Sequence, residues 1–198
     1  MSGPSNRKAL SHERIVDAAA RAIRREGYAG VGVADIMKEA GLTHGGFYAH
    51  FPSRDALLAA AMERAGRDGA SRMLQSVAKR QAEGASALQA WVDAYLGDAH
   101  LKGCESGCPV AALASEMPRQ SPDVRNVSAE RVQRLMQAVR GVLPPDAGEH
   151  AAAGVTSTLV GALQLARALG DNAEGRAVLA SARQTILDQY DTGGPSCQ

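Results

Sequence analysis

Val33-Ala34-Asp35-Ile36-Met37-Lys38-Glu39-Ala40-Gly41-Leu42-Thr43-His44-Gly45-Gly46-Phe47-Tyr48-Ala49-His50-Phe51 is the stretch that decides the reading of this chain. A short helix over about 33–40 turns Ile36 and Met37 inward and stops at Gly41. Thr43 then caps a second helix that reaches about Phe51. A four-residue turn, Ala40-Gly41-Leu42-Thr43, brings the two helices to a steep crossing. That is helix-turn-helix geometry, in which the second helix enters the major groove of DNA. Thr43 stands where a hydroxyl and a free backbone N–H can meet a phosphate. Phe47 and Phe51 are four apart, share a face and pack inward, so His44, Gly45 and Tyr48 point to solvent or DNA.

Upstream, Ser11 caps a first helix, Leu10 and Ile15 have the spacing of a hydrophobic staple, and Gly27 is the stop. Downstream, Pro52 ends the recognition segment and Ser53 caps a long fourth helix beginning Arg54-Asp55. Helical spacing continues over Ala85–Lys102, over a short helix from Cys108-Pro109 to about Glu116, and from Ser121-Pro122-Asp123 to Pro144-Pro145. Two more helices cover about Asp146–Leu169, stopped by Gly170, and Asn172–Tyr190. No alternating strand pattern or internal repeat occurs, so the fold class is all-α.

Composition sets the outer limits. The chain has 198 residues, 45% apolar and 22% charged, which excludes disorder as the main state. No uncharged apolar run reaches the roughly 20 residues of a membrane span, so no membrane partner is expected. The N-terminus carries no apolar signal segment, which makes a cytoplasmic location the expectation. Three cysteines do not make a disulfide framework. The net charge of +1 conceals an asymmetry. Residues 1–55 hold 8 Lys/Arg against 6 Asp/Glu, residues 56–81 hold 5 against 2, and residues 82–198 hold 9 against 13. A basic N-terminal part suggests an anionic partner, nucleic acid first.

The segment Thr43-His44-Gly45-Gly46-Phe47-Tyr48-Ala49-His50-Phe51-Pro52-Ser53-Arg54-Asp55-Ala56-Leu57 resembles the recognition helix and following turn of the TetR family of bacterial transcriptional repressors. Val33-Ala34-Asp35-Ile36 and Glu39-Ala40-Gly41-Leu42 fit that family's preceding helix. The detailed match covers about residues 11–60. The resemblance implies a flexible tail (1–10), a three-helix DNA-binding domain (11–53), a larger helical ligand-binding and dimerisation domain (54–191) and a flexible C-terminal tail (192–198). It implies a homodimer on an inverted-repeat operator in double-stranded DNA, released by a small-molecule effector of the C-terminal domain. DNA contacts fall on Thr43, His44, Gly45, Gly46, Tyr48, His50 and Arg54. The paired glycines cost a helix about 1 kcal/mol each relative to alanine, a cost that close approach to a DNA backbone would explain. The exposed face lacks Arg, Asn and Gln, the side chains best suited to bidentate base readout, so DNA shape has a share in recognition.

The residues from Ala151 to Ala166 carry no charge and are apolar nearly all round, which demands cover on more than one side. The resemblance assigns this helix and the last one to a four-helix dimer interface, with Val155, Leu159, Leu163, Val178 and Ile186 in contact. Trp91, Tyr95, Met117, Leu135 and Met136 are candidates for a ligand cavity, with plain core as the alternative. Cys108 precedes Pro109 at a helix start, where a thiol ionises more easily, and Cys104 is near enough in sequence to resolve it. This leaves open a redox- or electrophile-sensing repressor beside a reversible ligand, with buried small residues as the plain reading. No phosphate loop, nucleophile elbow or metal set appears, so no enzyme, cofactor or metal is expected. A helical interaction module without DNA binding is the alternative of another class.

Overall fold

In the computed structural model, residues 4–191 are described; Cys197, the expected tail 192–198 and residues 1–3 of the expected tail 1–10 lie outside them. Among the described residues the chain is helical and holds no strand. The helices are α1 (Pro4–Glu26), α2 (Val33–Glu39), α3 (Arg54–Ala82), α4 (Ala87–Tyr95), α5 (Asp98–Lys102), α6 (Pro109–Leu113), α7 (Pro122–Arg140), α8 (Ala151–Leu169) and α9 (Ala173–Tyr190). Two 3-10 segments, His44–Ala49 and Met117–Arg119, lie between them.

Several boundaries differ from those read in the sequence. The first helix begins at Pro4 rather than at a Ser11 cap, and Leu10 is 55% exposed instead of stapled to Ile15. Nothing in Asn6–Leu10 opposes a helix, and proline suits a first helical position. The helix expected over Ala85–Lys102 breaks at Gly97, which is extended (φ −84°, ψ 162°) and caps α5. A Cβ at Gly97 would lie 2.7 Å from the Asp93 carbonyl oxygen. The helix opened by Cys108 ends at Leu113, ahead of Pro118, which disfavours α-helix at the residue before it. The helix after Pro144-Pro145 starts at Ala151, not Asp146, because a Pro144–Ala147 turn and Gly148 intervene.

Other signals hold. Gly27, Gly41 and Gly170 end their helices with φ of 79°, 67° and 95°. The Ser53 hydroxyl accepts from Ala56 N–H (3.1 Å), and the Asn172 side-chain Oδ1 accepts from Gly175 N–H (3.0 Å).

The chain divides into two compact units. One comprises residues 1–69 and 104–131, so it holds α1, α2, the recognition segment and α6 together with the first parts of α3 and α7. Its core contains Ile15, Ile23, Tyr28, Ile36, Met37, Phe47, Leu57, Leu58 and Met62, each at most 2% exposed. Arg64 on α3 makes ion pairs with Glu13 and Asp17 of α1. The other unit comprises residues 70–103 and 132–198. There α8 packs along α9, α4 packs on α9 and α5 on α8, around Trp91, Tyr95, Val155, Leu159, Leu163 and Ile186. By length and composition alone α8 is apolar enough to cross a membrane, and 44% of that stretch is buried inside the protein.

Candidate nucleic-acid interface

The turn after α2 is locked by its own backbone. Leu42 N–H donates to the Met37 carbonyl (2.8 Å) and Gly41 N–H to the Lys38 carbonyl (2.9 Å), the bond pair of a Schellman motif. Gly41 has φ +67°, and a Cβ there would lie 2.6 Å from Nη2 of Arg14, whose guanidinium donates to the Ala40 carbonyl. The positive φ requires the glycine, and a side chain there would also push the Arg14 guanidinium off the Ala40 carbonyl.

The expected recognition helix is a tighter 3-10 segment, His44–Ala49, entered from an extended Thr43 (φ −80°, ψ 146°). Two consecutive glycines give the first turn little α-helical preference, which explains the tightening. Phe47 (2% exposed) and Phe51 (4%) face inward with ring centres 5.9 Å apart. Tyr48 stands 76% exposed, edge-on to Phe47 at 5.2 Å. Thr43, His44 and Gly45 are exposed, and the Thr43 side chain makes no capping bond. A Cβ on Gly45 would meet nothing within 4 Å, and one on Gly46 only ordinary contacts with Met37 and Thr43. Neither glycine has positive φ. Packing and backbone conformation therefore require neither of them, and their effect is to keep the outer face bare.

His50 is half-buried. Its Nδ1 is buried without a hydrogen-bond partner among the described residues. Burial lowers its pKa, and the neighbouring His12 and Lys8 lower it further. The His12 ring stacks on Phe51 at 4.5 Å and lies 6.1 Å from His50. Arg54 is committed inward: its guanidinium donates to the carbonyls of Tyr28 and Val31 (3.2 Å for Val31), bracing the connection between α1 and α2.

Much of the N-terminal basic excess is also spent within the protein, part of it in exposed ion pairs. Arg21 and Arg25 pair with Glu39 (2.8 and 3.3 Å). Burial raises the Glu39 carboxyl, but these two arginines outweigh it and hold the group below the usual carboxylate range. Lys8, beside His50, and Lys38 on α2 are exposed and form no ion pair among the described residues. Sequence reading missed both of these cations, because only the packing of α1 separates them from the internally paired arginines.

The expected ligand residues do not gather in one unit. Cys104, Cys108 and Met117 belong to the first, Trp91, Tyr95, Leu135 and Met136 to the second. Trp91 and Tyr95 are core, and the Trp91 indole N–H is buried without a partner among the described residues. Cys104 is exposed and Cys108 half-buried at the start of α6. With five residues, α6 aligns few peptide dipoles behind that thiol. The second unit carries an open cleft of about 740 Å3 whose charged lining is Arg80, Glu83, Asp93 and Arg183.

On α8 and α9, Val155, Leu159, Leu163 and Ile186 are each at most 3% exposed inside the protomer. Side chains so covered have no surface to offer a second subunit. Of the five residues expected in a dimer contact, only Val178 reaches the open face, a groove of about 610 Å3 that it shares with Gly161, Leu165, Ala177 and Ser181.

Known proteins resemble both parts of this arrangement. Residues 15–61 match the family of bacterial regulatory proteins of the tetR type, and residues 84–181 match the C-terminal domain of LmrA/YxaF-like transcriptional regulators. An uncharacterized HTH-type transcriptional regulator of Mycobacterium tuberculosis is 31% identical over 171 residues, covering 80% of this chain and 85% of that protein. The HTH-type transcriptional regulator LmrA of Bacillus subtilis is 26% identical over 153 residues, covering 77% and 81%. Reduced NemR of E. coli has the same fold, with a TM-score of 0.75 at 19% identity over 93% of this chain and 98% of that one. A TetR regulator of Chloroflexus aurantiacus superposes with a TM-score of 0.72 at 22% identity, covering 92% and 94%. With its helix-turn-helix locked at Gly41 and matches over both parts of its length, the chain belongs to the TetR family of bacterial transcriptional regulators.

Proposed function

We propose that this regulator acts in the cytoplasm as a repressor: a homodimer that binds an inverted-repeat operator and leaves it when a small-molecule effector binds within residues 54–191. The observation that carries the DNA-binding part is the recognition segment. Its aromatic residues anchor it from below, while Thr43, His44, Gly45 and Tyr48 are presented outward over a bare Gly45–Gly46 surface. Thr43 and Tyr48 supply hydroxyls for phosphates, His44 is the side chain for a base edge, and the glycines let the DNA backbone approach. Lys8 and Lys38 add uncommitted positive charge, and Arg54 acts as a positioning residue behind the motif. His50, with its Nδ1 buried, has only its outer edge to offer the operator.

The open groove on α8 and α9 supports the homodimer. Its small residues allow close approach of two helix pairs, and Leu165, 61% exposed, is the apolar side chain left over. Two recognition segments about 34–36 Å apart, one turn of DNA, would then read two half-sites.

The test is selection of bound sequences from random duplex DNA, followed by affinity measurement against salt. The expected result is an inverted repeat whose affinity falls steeply as salt rises. Recovery of unrelated sequences, with no salt dependence, refutes the reading.

A further inference from the structure

The far end of the recognition segment carries a second cluster of groups that suit an anion. His50 closes the 3-10 segment His44–Ala49, and α1 runs beside it. His12 of α1 stacks on Phe51 with ring centres 4.5 Å apart and lies 6.1 Å from the His50 ring. Lys8 stands one turn earlier on the same face of α1, exposed and without an ion pair among the described residues. Residues 6–10 are exposed throughout, so this end of the helix is open to a partner.

Burial first, then the neighbouring His12 and Lys8, hold the His50 pKa below its ordinary value. No carboxylate among the described residues offsets these two neighbours. Glu13 and Asp17 of α1 turn to Arg64 of α3. At the start of α3, Arg54 donates to the carbonyls of Tyr28 and Val31, and Asp55 in the same turn is not among the groups acting on His50. Three side chains able to carry positive charge therefore converge with no negative charge among them. A folded protein keeps such a cluster as neutral as it can, and an anion relieves it.

The spacing says which anion. From Thr43 at the entrance to Ala49, the six residue steps of the segment span about 12 Å at the 3-10 rise of about 2 Å per residue. The major groove of DNA is about 12 Å wide, with a phosphate backbone on either side. A segment that sets the Thr43 hydroxyl against one backbone brings its other end, with Lys8, His12 and His50, to the opposite one. We propose that Lys8, His12 and His50 form a phosphate site for the second wall of the groove, and that filling it takes up one proton onto the histidine pair. Lys8 supplies the permanent charge. His50 presents its outer edge, because its Nδ1 is buried. The phosphate brings the counter-charge that the protein lacks and so favours one protonated imidazole, while repulsion at this separation keeps the other neutral. Between the low midpoint of the free protein and the higher midpoint of the complex, the complex holds more protons, so affinity rises as pH falls. The site rests on the proposed DNA binding; the crowding of the two imidazoles does not.

The test is fluorescence anisotropy of the full chain on the selected operator and on an unrelated duplex of equal length, across pH and salt, with proton NMR titration of the histidines in the free protein. Binding should tighten about tenfold between about pH 7.5 and 5.5 on both duplexes, since a phosphate carries no sequence information. The double variant His12→Gln, His50→Gln should lose this dependence, and His44→Gln should keep it. Lys8 is exposed, so Lys8→Met tests the site without touching the fold. It should lower the salt slope by about one unit and, with no DNA present, raise the His50 midpoint. A pH dependence that survives the double variant, one that vanishes in His44→Gln, or a His50 midpoint unmoved by Lys8→Met would each overturn the proposal. Duplex binding with no pH dependence strikes this site alone; no binding to any duplex at any pH strikes the DNA-binding reading together with it.

Discussion

The recognition segment and the α8–α9 pair treat apolar surface in opposite ways. Between Thr43 and Phe51 the two phenylalanines turn inward, and the outer face carries hydroxyls, an imidazole and bare glycine backbone. On α8 and α9 the large aliphatic residues are also inside, yet the outer face is a groove of mostly small residues, Gly161, Ala177, Val178 and Ser181, with Leu165 as its large apolar side chain and Ser157, Thr158 and Glu174 at its sides. The first surface suits a charged, hydrated partner such as a DNA backbone, and the second suits a dry contact with another helix pair. The difference teaches that net apolar content does not locate an interface; what matters is which side of each helix is left uncovered.

Removing the support beneath the first surface should have the largest effect. Phe47→Ala leaves a cavity under the recognition segment and should cost about 3–5 kcal/mol of stability, with operator binding lost, as read by thermal unfolding and anisotropy. A stability loss below 1 kcal/mol would mean that the segment is not held by this ring.

Breaking the second surface should act on assembly instead. Leu165→Arg places a charge where a dry contact is proposed and should weaken dimerisation by about 3 kcal/mol, leaving the protomer fold intact. Sedimentation at micromolar concentration should then show monomers. An undisturbed dimer would move the interface elsewhere.

A pH titration sharpens the α8 side. His100 on α5 donates from Nδ1 to the Tyr95 carbonyl (2.8 Å), and its own carbonyl accepts from Arg167 of α8 (2.7 Å). Burial, helped by the Arg167 charge, lowers its pKa to about 4 despite that hydrogen bond. Between about 4 and the ordinary 6.5 the folded state therefore binds fewer protons than the unfolded one. Stability should be complete above pH 6.5 and decline as pH falls towards 4, by up to about 3 kcal/mol. His100→Gln should flatten this part of the profile; an unchanged slope would assign it to other groups.

Two smaller effects separate support from recognition within the first surface. Arg54→Ala removes the brace on the Tyr28 and Val31 carbonyls and should cost about 2 kcal/mol of stability. Tyr48→Phe should leave Tm unchanged and weaken operator binding by about 1 kcal/mol for every operator variant alike. A change in base preference with Tyr48→Phe would place this hydroxyl on a base edge rather than a phosphate.

Much of this was legible in the chain itself. The helix-turn-helix followed from Gly41 at a turn, Phe47 and Phe51 at helical spacing, and Ser53 as a cap, all local signals that the folded protein keeps. Breaks at Gly97 and before Pro118, and the late start of α8, were less legible, because each depends on how neighbouring turns close. The charge asymmetry misled in detail. Arg21, Arg25 and Arg54 count as basic in the sequence, but they are spent on Glu39 and on backbone carbonyls.

The sequence by itself determined the all-α class and the recognition motif, because periodicity, caps and stops act within a few residues of one another, and the residues of that motif carried the family resemblance. Tertiary structure alone decided which side of α8 stays open and which arginines remain unpaired. Val155 and Leu165 are equally apolar in the chain, but one is covered by its own protomer and the other is 61% exposed. Arg24 and Arg131 are the same residue type, but only one of them meets carbonyl oxygens close enough to receive its protons. Burial and hydrogen-bond satisfaction are sums over neighbours brought together from distant parts of the chain, and no local pattern encodes them.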